Sequence, residues 1–284
     1  MSKIYDKITN SAKKNYKFHI EAFDSAAEVV QSCKSRKITN GSFNDKSKES
    51  FGSWEGVQSY EEALGLMRGG YQPTVEAMRG VFKASKSGEG TRFAFHNAVA
   101  GFAPVVPLAL KGVPNSMINM TMRPIKAKVI DVYYDITNSC GTDSETIIQT
   151  GQALLGTIIE LERQGYRFNL YAVQTYSDSQ DCDMLVVKLK SATQPLDLKR
   201  ISFPLTHTAF FRVVGFDWYS RVPGGKYRGG YGHAISYEFT DSKKIEAIGK
   251  ELFGQNAIFF TGVNINGKGK EYIKEAVTNG NGKA

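Results

Sequence analysis

Asp135-Ile136-Thr137-Asn138-Ser139 sets a carboxylate and two hydroxyls at alternate positions of one short segment. Such a loop offers three oxygens to a hard cation, and magnesium prefers an oxygen shell in which it keeps several waters. A second reading needs no metal, with Asp135 and Ser139 capping the helix that follows. A different chemistry is suggested by Phe210-Phe211-Arg212 through Trp218-Tyr219-Ser220-Arg221, which leads into Gly224-Gly225-Lys226-Tyr227-Arg228-Gly229-Gly230-Tyr231. Flat rings stack on bases and cations meet phosphates, so Arg221, Lys226, Tyr227, Arg228 and Tyr231 are candidate contacts for single-stranded RNA or DNA. Phe210, Phe211, Val214 and Trp218 also have the spacing of a buried helix face, which makes the glycine loop the better contact surface.

Other segments carry less. Gly262 to Lys270 has glycines and lysines ahead of a helix but lacks the spacing of a Walker A loop, and reads as a plain turn. His19, His96, His207 and His233 are not at metal-ligand spacing. Cys140 lies beside the Asp135 segment near a helix start, where a thiol pKa can fall, but no histidine adjoins it in sequence. Asp178, Asp181 and Asp183 read as a solvated acidic turn.

The elements that must position these residues change character near residue 126. The first 17 residues read as a lysine-rich arm or short helix, Phe18 to Ala22 as a strand, Ala26 to Cys33 as a helix, and 34–53 as a long loop. Ser59 with Glu62 forms a capping box that opens a helix ended by Gly69-Gly70. A second helix covers about 73–85. Residues 92–112 read as irregular elements around a buried Phe102/Val105 cluster. From Lys126 strands and helices alternate. Strands are expected at 127–134, 168–176, 184–189, 233–239 and 257–265. Helices are expected at 142–164, through most of 196–221, at 244–252 and at 270–277. The short link 177–183 suits a hairpin. The expected fold class is α/β, three-layer, with a mostly parallel sheet and one antiparallel edge strand. It occupies residues 127–284, behind an irregular basic α+β region at 1–126.

The 284 residues are 41% hydrophobic and 23% charged, the composition of a globular chain rather than a disordered or fibrous one. Three cysteines are too few for a disulfide framework. The longest apolar run, Phe102 to Leu110, is far short of the ~20 residues of a membrane span. The N-terminus has no apolar signal core, so a cytoplasmic protein is expected. Net charge is +8, and residues 1–126 hold 18 Lys and Arg against 11 Asp and Glu. That imbalance favours an acidic partner such as nucleic acid.

The D-x-[ST]-x-S pattern of Asp135, Thr137 and Ser139, with the order of elements around it, resembles the metal-ion-dependent adhesion site of von Willebrand factor A domains. The resemblance implies a bound Mg2+ or Mn2+, completed by a threonine from a later loop (Thr208, or Thr206) and by Asp241 after the strand 233–239. Ser242 stands where that family often has glycine. It implies a non-enzymatic protein whose cation accepts a carboxylate from a protein partner. Ser53-Trp54-Glu55-Gly56, the Ser59 helix start and Gly112-Val113-Pro114-Asn115-Ser116-Met117 look like an uncharacterised phage and prophage family, which suggests a host-cytoplasmic or virion protein. Nucleic-acid binding and a virion or assembly role, with an oligomer, are the alternatives. A metal-dependent hydrolase is the weakest reading, because no general base adjoins the motif.

Overall fold

The computed structural model describes residues 2–39, 44–83, 91–124, 128–224, 233–262 and 274–275. Nine strands and nine α-helices are assigned among them. In chain order they begin β1 (Lys3–Thr9), β2 (Tyr16–Phe23), α1 (Ala26–Ser35), α2 (Tyr60–Gly69), α3 (Gln72–Lys83), β3 (Thr91–Ala98), β4 (Ala103–Pro104), α4 (Val106–Leu110) and β5 (Met117–Pro124). There follow β6 (Lys128–Asp135), α5 (Ser144–Arg163), β7 (Tyr166–Ser177), β8 (Asp181–Lys190), α6 (Leu198–Thr206), α7 (Phe216–Arg221), α8 (Ile235–Glu238), α9 (Ser242–Phe253) and β9 (Ala257–Thr261). A π-helical segment, Phe210–Gly215, runs directly into α7.

Six strands form one mixed sheet in the order β1-β2-β8-β7-β6-β9. β2–β8, β7–β6 and β6–β9 pair in parallel, while β1–β2 and β7–β8 are antiparallel. The fold is therefore α/β, as expected, but its edge lies elsewhere. β8 is internal, because β2 covers it. Alternation explains why: Tyr16, Phe18 and Ile20 bury on one face of β2, and Glu21 and Phe23 are buried as well. The lysine-rich start is neither a free arm nor a helix but the edge strand β1, and Lys3 and Lys7 on it discourage pairing with another sheet. The boundary at 126/127 thus falls between strands of a single sheet.

Apolar cores cover both faces. One packs α1, α2, α3 and α5 to α7 around Ile130, Val132, Tyr134, Phe168 and Leu185. The other joins Phe18, Ile20, Met184 and Phe259 to Ile235 and Phe239 of the α8 segment and to Ile245, Ile248 and Leu252 of α9. α5 buries Leu154, Leu155, Ile158, Ile159 and Leu161, the stripe visible in its sequence. In the first core the Glu21 carboxylate is fully buried, taking Arg36 through both guanidinium nitrogens at 2.6 and 2.9 Å and the Trp218 indole at 2.8 Å. Burial alone would raise this carboxyl, but the hydrogen bonds from Arg36, Ser2 and Trp218 hold it below its usual value.

Three sequence expectations are corrected. Residues 233–239 are not a strand: Ile235–Glu238 is helical, and only His233 bridges to Ser177. Residues 92–112 hold no buried Phe102/Val105 cluster, since Phe102 is 65% exposed, and β3, β5 and β4 form a separate antiparallel sheet. The acidic turn is not solvated throughout, because Asp183 is buried in β8. The expected helix at 270–277 falls almost wholly outside the described residues.

α5 crosses α6 at Gly151, where an added Cβ would stand 2.2 Å from the Leu205 carbonyl oxygen. Backbone cannot swing aside as a side-chain tip can. Gly151→Ala is therefore expected to destabilise the fold by about 1–3 kcal/mol in urea denaturation. Gly65→Ala, on the exposed side of α2 with no atom within 4 Å, is expected to stabilise it by ~0.5–1 kcal/mol.

Candidate functional site

β6 lies between β7 and β9. The chain leaves it through α5 on one face to reach β7, and returns to its other side through α9 on the opposite face to reach β9. The carboxyl end of β6 is thus where connections diverge, the position at which open α/β sheets form crevices.

Asp135 ends β6 and is fully buried. Its Oδ1 accepts the Thr137 amide at 3.0 Å, and its Oδ2 accepts the Thr175 hydroxyl, from β7, at 2.7 Å. Thr137 Oγ1 accepts the Thr175 amide at 2.8 Å, and Thr175 Oγ1 accepts the Ile235 amide at 2.9 Å. One carboxyl therefore fixes the end of β6, the end of β7 and the start of α8. Burial raises its pKa from 3.8 to about 7, against the lowering effect of hydrogen bonds from Thr137 and Thr175.

Above this floor opens a cleft of about 580 Å³. Thr137, Asn138, Ser139, Cys140 and Thr142 line one side, and Trp54, Phe211, Phe216, His233 and Tyr237 supply rings. The Trp54 loop is fastened from below. The Trp54 indole donates to the Cys140 carbonyl at 2.9 Å, and Thr208 Oγ1 donates to the Glu55 carbonyl at 2.8 Å. Gly56, at φ +74°, has no room for a Cβ, which would meet Thr208 Oγ1 at 2.8 Å. Arg212 lies under Trp54, its guanidinium 4.3 Å from the ring centroid. It donates to the Trp54 carbonyl and, at 3.2 Å, to the Thr142 carbonyl. Arg212 is 1% exposed and its Nε has no partner among the described residues. Burial lowers the Arg212 pKa, Glu55 and Cys140 acting the other way.

The five expected metal contacts are dispersed in role. Asp135, Thr137 and Ser139 share the loop, with Ser139 Oγ accepting the Gly141 amide at 3.4 Å. Thr208 holds the Trp54 loop, and Thr206 bonds the Ser202 carbonyl and Thr74. Asp241 caps α9 by accepting the Lys243 amide at 3.0 Å. It does not follow a strand, because residues 233–239 form none. Each Asp135 oxygen takes one protein donor, and Thr208 and Asp241 hold other segments rather than the Asp135 loop. Among the described residues no group of three or more His, Cys, Asp or Glu is placed to hold a metal ion.

Of the nucleic-acid candidates, Arg221 is turned inward, bonding Asp217 at 2.9 Å, Asp45 at 2.7 Å and the Arg36 carbonyl at 2.7 Å. Lys226, Tyr227, Arg228 and Tyr231 lie outside the described residues, as does most of the turn 262–270. The cleft residues that the sequence motif missed are Thr175, Arg212, Phe216 and Tyr237. Arg212 and Phe216 carried a signal, the aromatic and cationic mixture of 210–221, whereas Thr175 and Tyr237 carried none.

Residues 7–276 match the family model described as Domain of unknown function (DUF7192). The chain belongs to that family. No curated protein and no solved structure matches it. The match passes through residue 126 without a break, and no von Willebrand A domain is indicated within it. With β1 and β2 added to the sheet and Asp241 at a helix cap, the A-domain and phage-family resemblance is replaced by this single family.

The Asp135 carboxyl makes stability depend on pH in a defined direction. Below about pH 4 the proton is held in both folded and unfolded chains. Between about 4 and 7 the unfolded chain releases it and the folded chain does not, so stability falls as pH rises, and the full loss stands above 7. His207 acts oppositely: burial lowers its pKa from 6.5 to about 4, so stability falls as pH drops through that interval. Asp135→Asn keeps the site neutral and removes only the first effect. Relative to wild type, it should gain stability between about pH 4 and about pH 7, by up to about 4 kcal/mol, in paired urea titrations.

Proposed function

We propose that this DUF7192 protein is a non-enzymatic binding protein whose cleft at the carboxyl end of β6 takes an acidic segment of a protein partner. The observation that supports this most is Arg212. Its charge is buried beneath the cleft wall and bonds to the carbonyls of Trp54 and Thr142, both residues of that wall. Among the described residues no carboxylate pairs with it. A buried cation with no carboxylate in contact, and only Glu55 acting on it at longer range, favours a further anion close by, and the low dielectric strengthens that attraction. The Asp135 carboxyl, with its pKa raised to about 7, opposes an anion less than an ordinary aspartate would. Rings suit the aliphatic stem of a glutamate, and the Ser139 and Thr142 hydroxyls suit its oxygens.

The test uses Trp54, which is 38% exposed at the cleft while Trp218 is buried. A glutamate-rich decapeptide is expected to change tryptophan emission saturably, and its glutamine counterpart is not. The response should be lost in Trp54→Phe, weaken at least tenfold in Tyr237→Ala, diminish with salt and persist in chelator. Equal responses to both peptides, or none to either, would refute the reading.

A further inference from the structure

A second surface is unrelated to the cleft. Residues 91–124 project as the antiparallel sheet β3-β5-β4 with the short helix α4. From 95 to 121 no residue is buried and none belongs to either apolar core. Phe95, Val99, Phe102, Val106 and Leu110 are 57–84% exposed, with Val113 and Met120 at 38% and 43%. Phe95 and Phe102 meet edge to face at 6.2 Å. By exposed fraction these side chains leave roughly 700 Å² of apolar surface in water, where a monomer's largest patch is usually ~300–600 Å² and a standard interface covers ~800 Å² per partner. A small sheet with no buried face is not stable alone and requires a cover.

We propose that this arm is a self-association surface, on which a second copy of the chain pairs its β3 antiparallel to β3 across a twofold axis. The area fits, since one arm supplies about one side of a standard interface. The strand edge fits as well. β3 is bonded only to β5 among the described residues, so its outer edge is an open template. Charge points the same way. Residues 93–110 contain no Asp, Glu, Lys or Arg, so two copies laid together bring no like charges into opposition. Symmetry then fixes the register. A twofold axis normal to the sheet leaves each side chain on its own face, so a residue can stand opposite its own copy. Centring that axis on Phe95 overlaps nearly the whole of β3, sets ring against ring, and places position 92 opposite Ala98 rather than opposite another cation. An unpaired strand edge is poorly suited to hydrocarbon, which disfavours a lipid surface as the cover.

Sedimentation velocity of the full chain at micromolar concentration tests the proposal. Wild type is expected to sediment as a dimer. Phe95→Lys and Phe95→Glu should each sediment as monomers, and their equimolar mixture should recover the dimer through a Lys–Glu pair at the axis. Circular dichroism should show both variants folded, since Phe95 touches neither core. Should either fail that check, Phe102→Lys, on the same patch, takes its place and must also abolish the dimer. A wild-type monomer at every concentration would overturn the proposal, including one that instead co-sediments with phosphatidylcholine/phosphatidylserine vesicles. So would folded Phe95 or Phe102 variants that remain dimeric.

Discussion

The cleft depends on a single relay of hydrogen bonds, from the Ile235 amide to Thr175 and from Thr175 to the buried carboxyl of Asp135. Without it three chain ends would leave polar groups unsatisfied in an apolar setting: the end of β6, the end of β7 and the start of α8. An unpaired buried donor or acceptor costs about 1–3 kcal/mol. The relay therefore determines the backbone course of the loop 135–143 and of the α8 segment, and with them the walls that carry Ser139 and Tyr237. Full burial accounts for both of its properties, the rigid geometry and the raised carboxyl pKa.

A second set of bonds explains why the family match runs nearly end to end. The α6–α7 region clamps segments from the first sixty residues. Asp217 accepts Tyr60 and Arg221, Arg221 reaches Asp45 and the Arg36 carbonyl, Trp218 reaches Glu21, and Arg212 holds the Trp54 carbonyl. The cations of 210–221 have the sequence pattern of phosphate contacts. Both of them, Arg212 and Arg221, are instead internal fasteners between the halves of the chain, as their burial requires.

Local signals in the sequence were legible where local physics decides. Ser59 does accept the Glu62 amide, although the Glu62 carboxylate reaches the Gln58 amide rather than closing the box on Ser59 itself. The α5 helix and the β6 strand expected from the sequence also carried over, with their apolar residues on buried faces. The segment 233–239 misled because Ile235, Tyr237 and Phe239 alternate as in a strand. Packing used the i, i+4 spacing instead, burying Ile235 and Phe239 and leaving Tyr237 71% exposed at the rim of the cleft. Asp135 was legible as a site residue, but its partner Thr175 was not, because cross-strand register is a property of the assembled sheet.

The two surfaces differ in what the fold demands of them. Cleft residues do double duty: Asp135 and Arg212 anchor backbone as well as shaping the site, so change there is constrained by stability. The arm is the reverse. Its exposed apolar side chains contribute to neither core, and the six-stranded sheet is complete without them. Exposed apolar surface of that extent raises the risk of nonspecific association. Its segregation onto one small sheet, with β3 at an open edge, confines that association to the arm. In the proposed dimer the arms meet each other, so engagement of a partner in the cleft and self-association use separate residues of the chain.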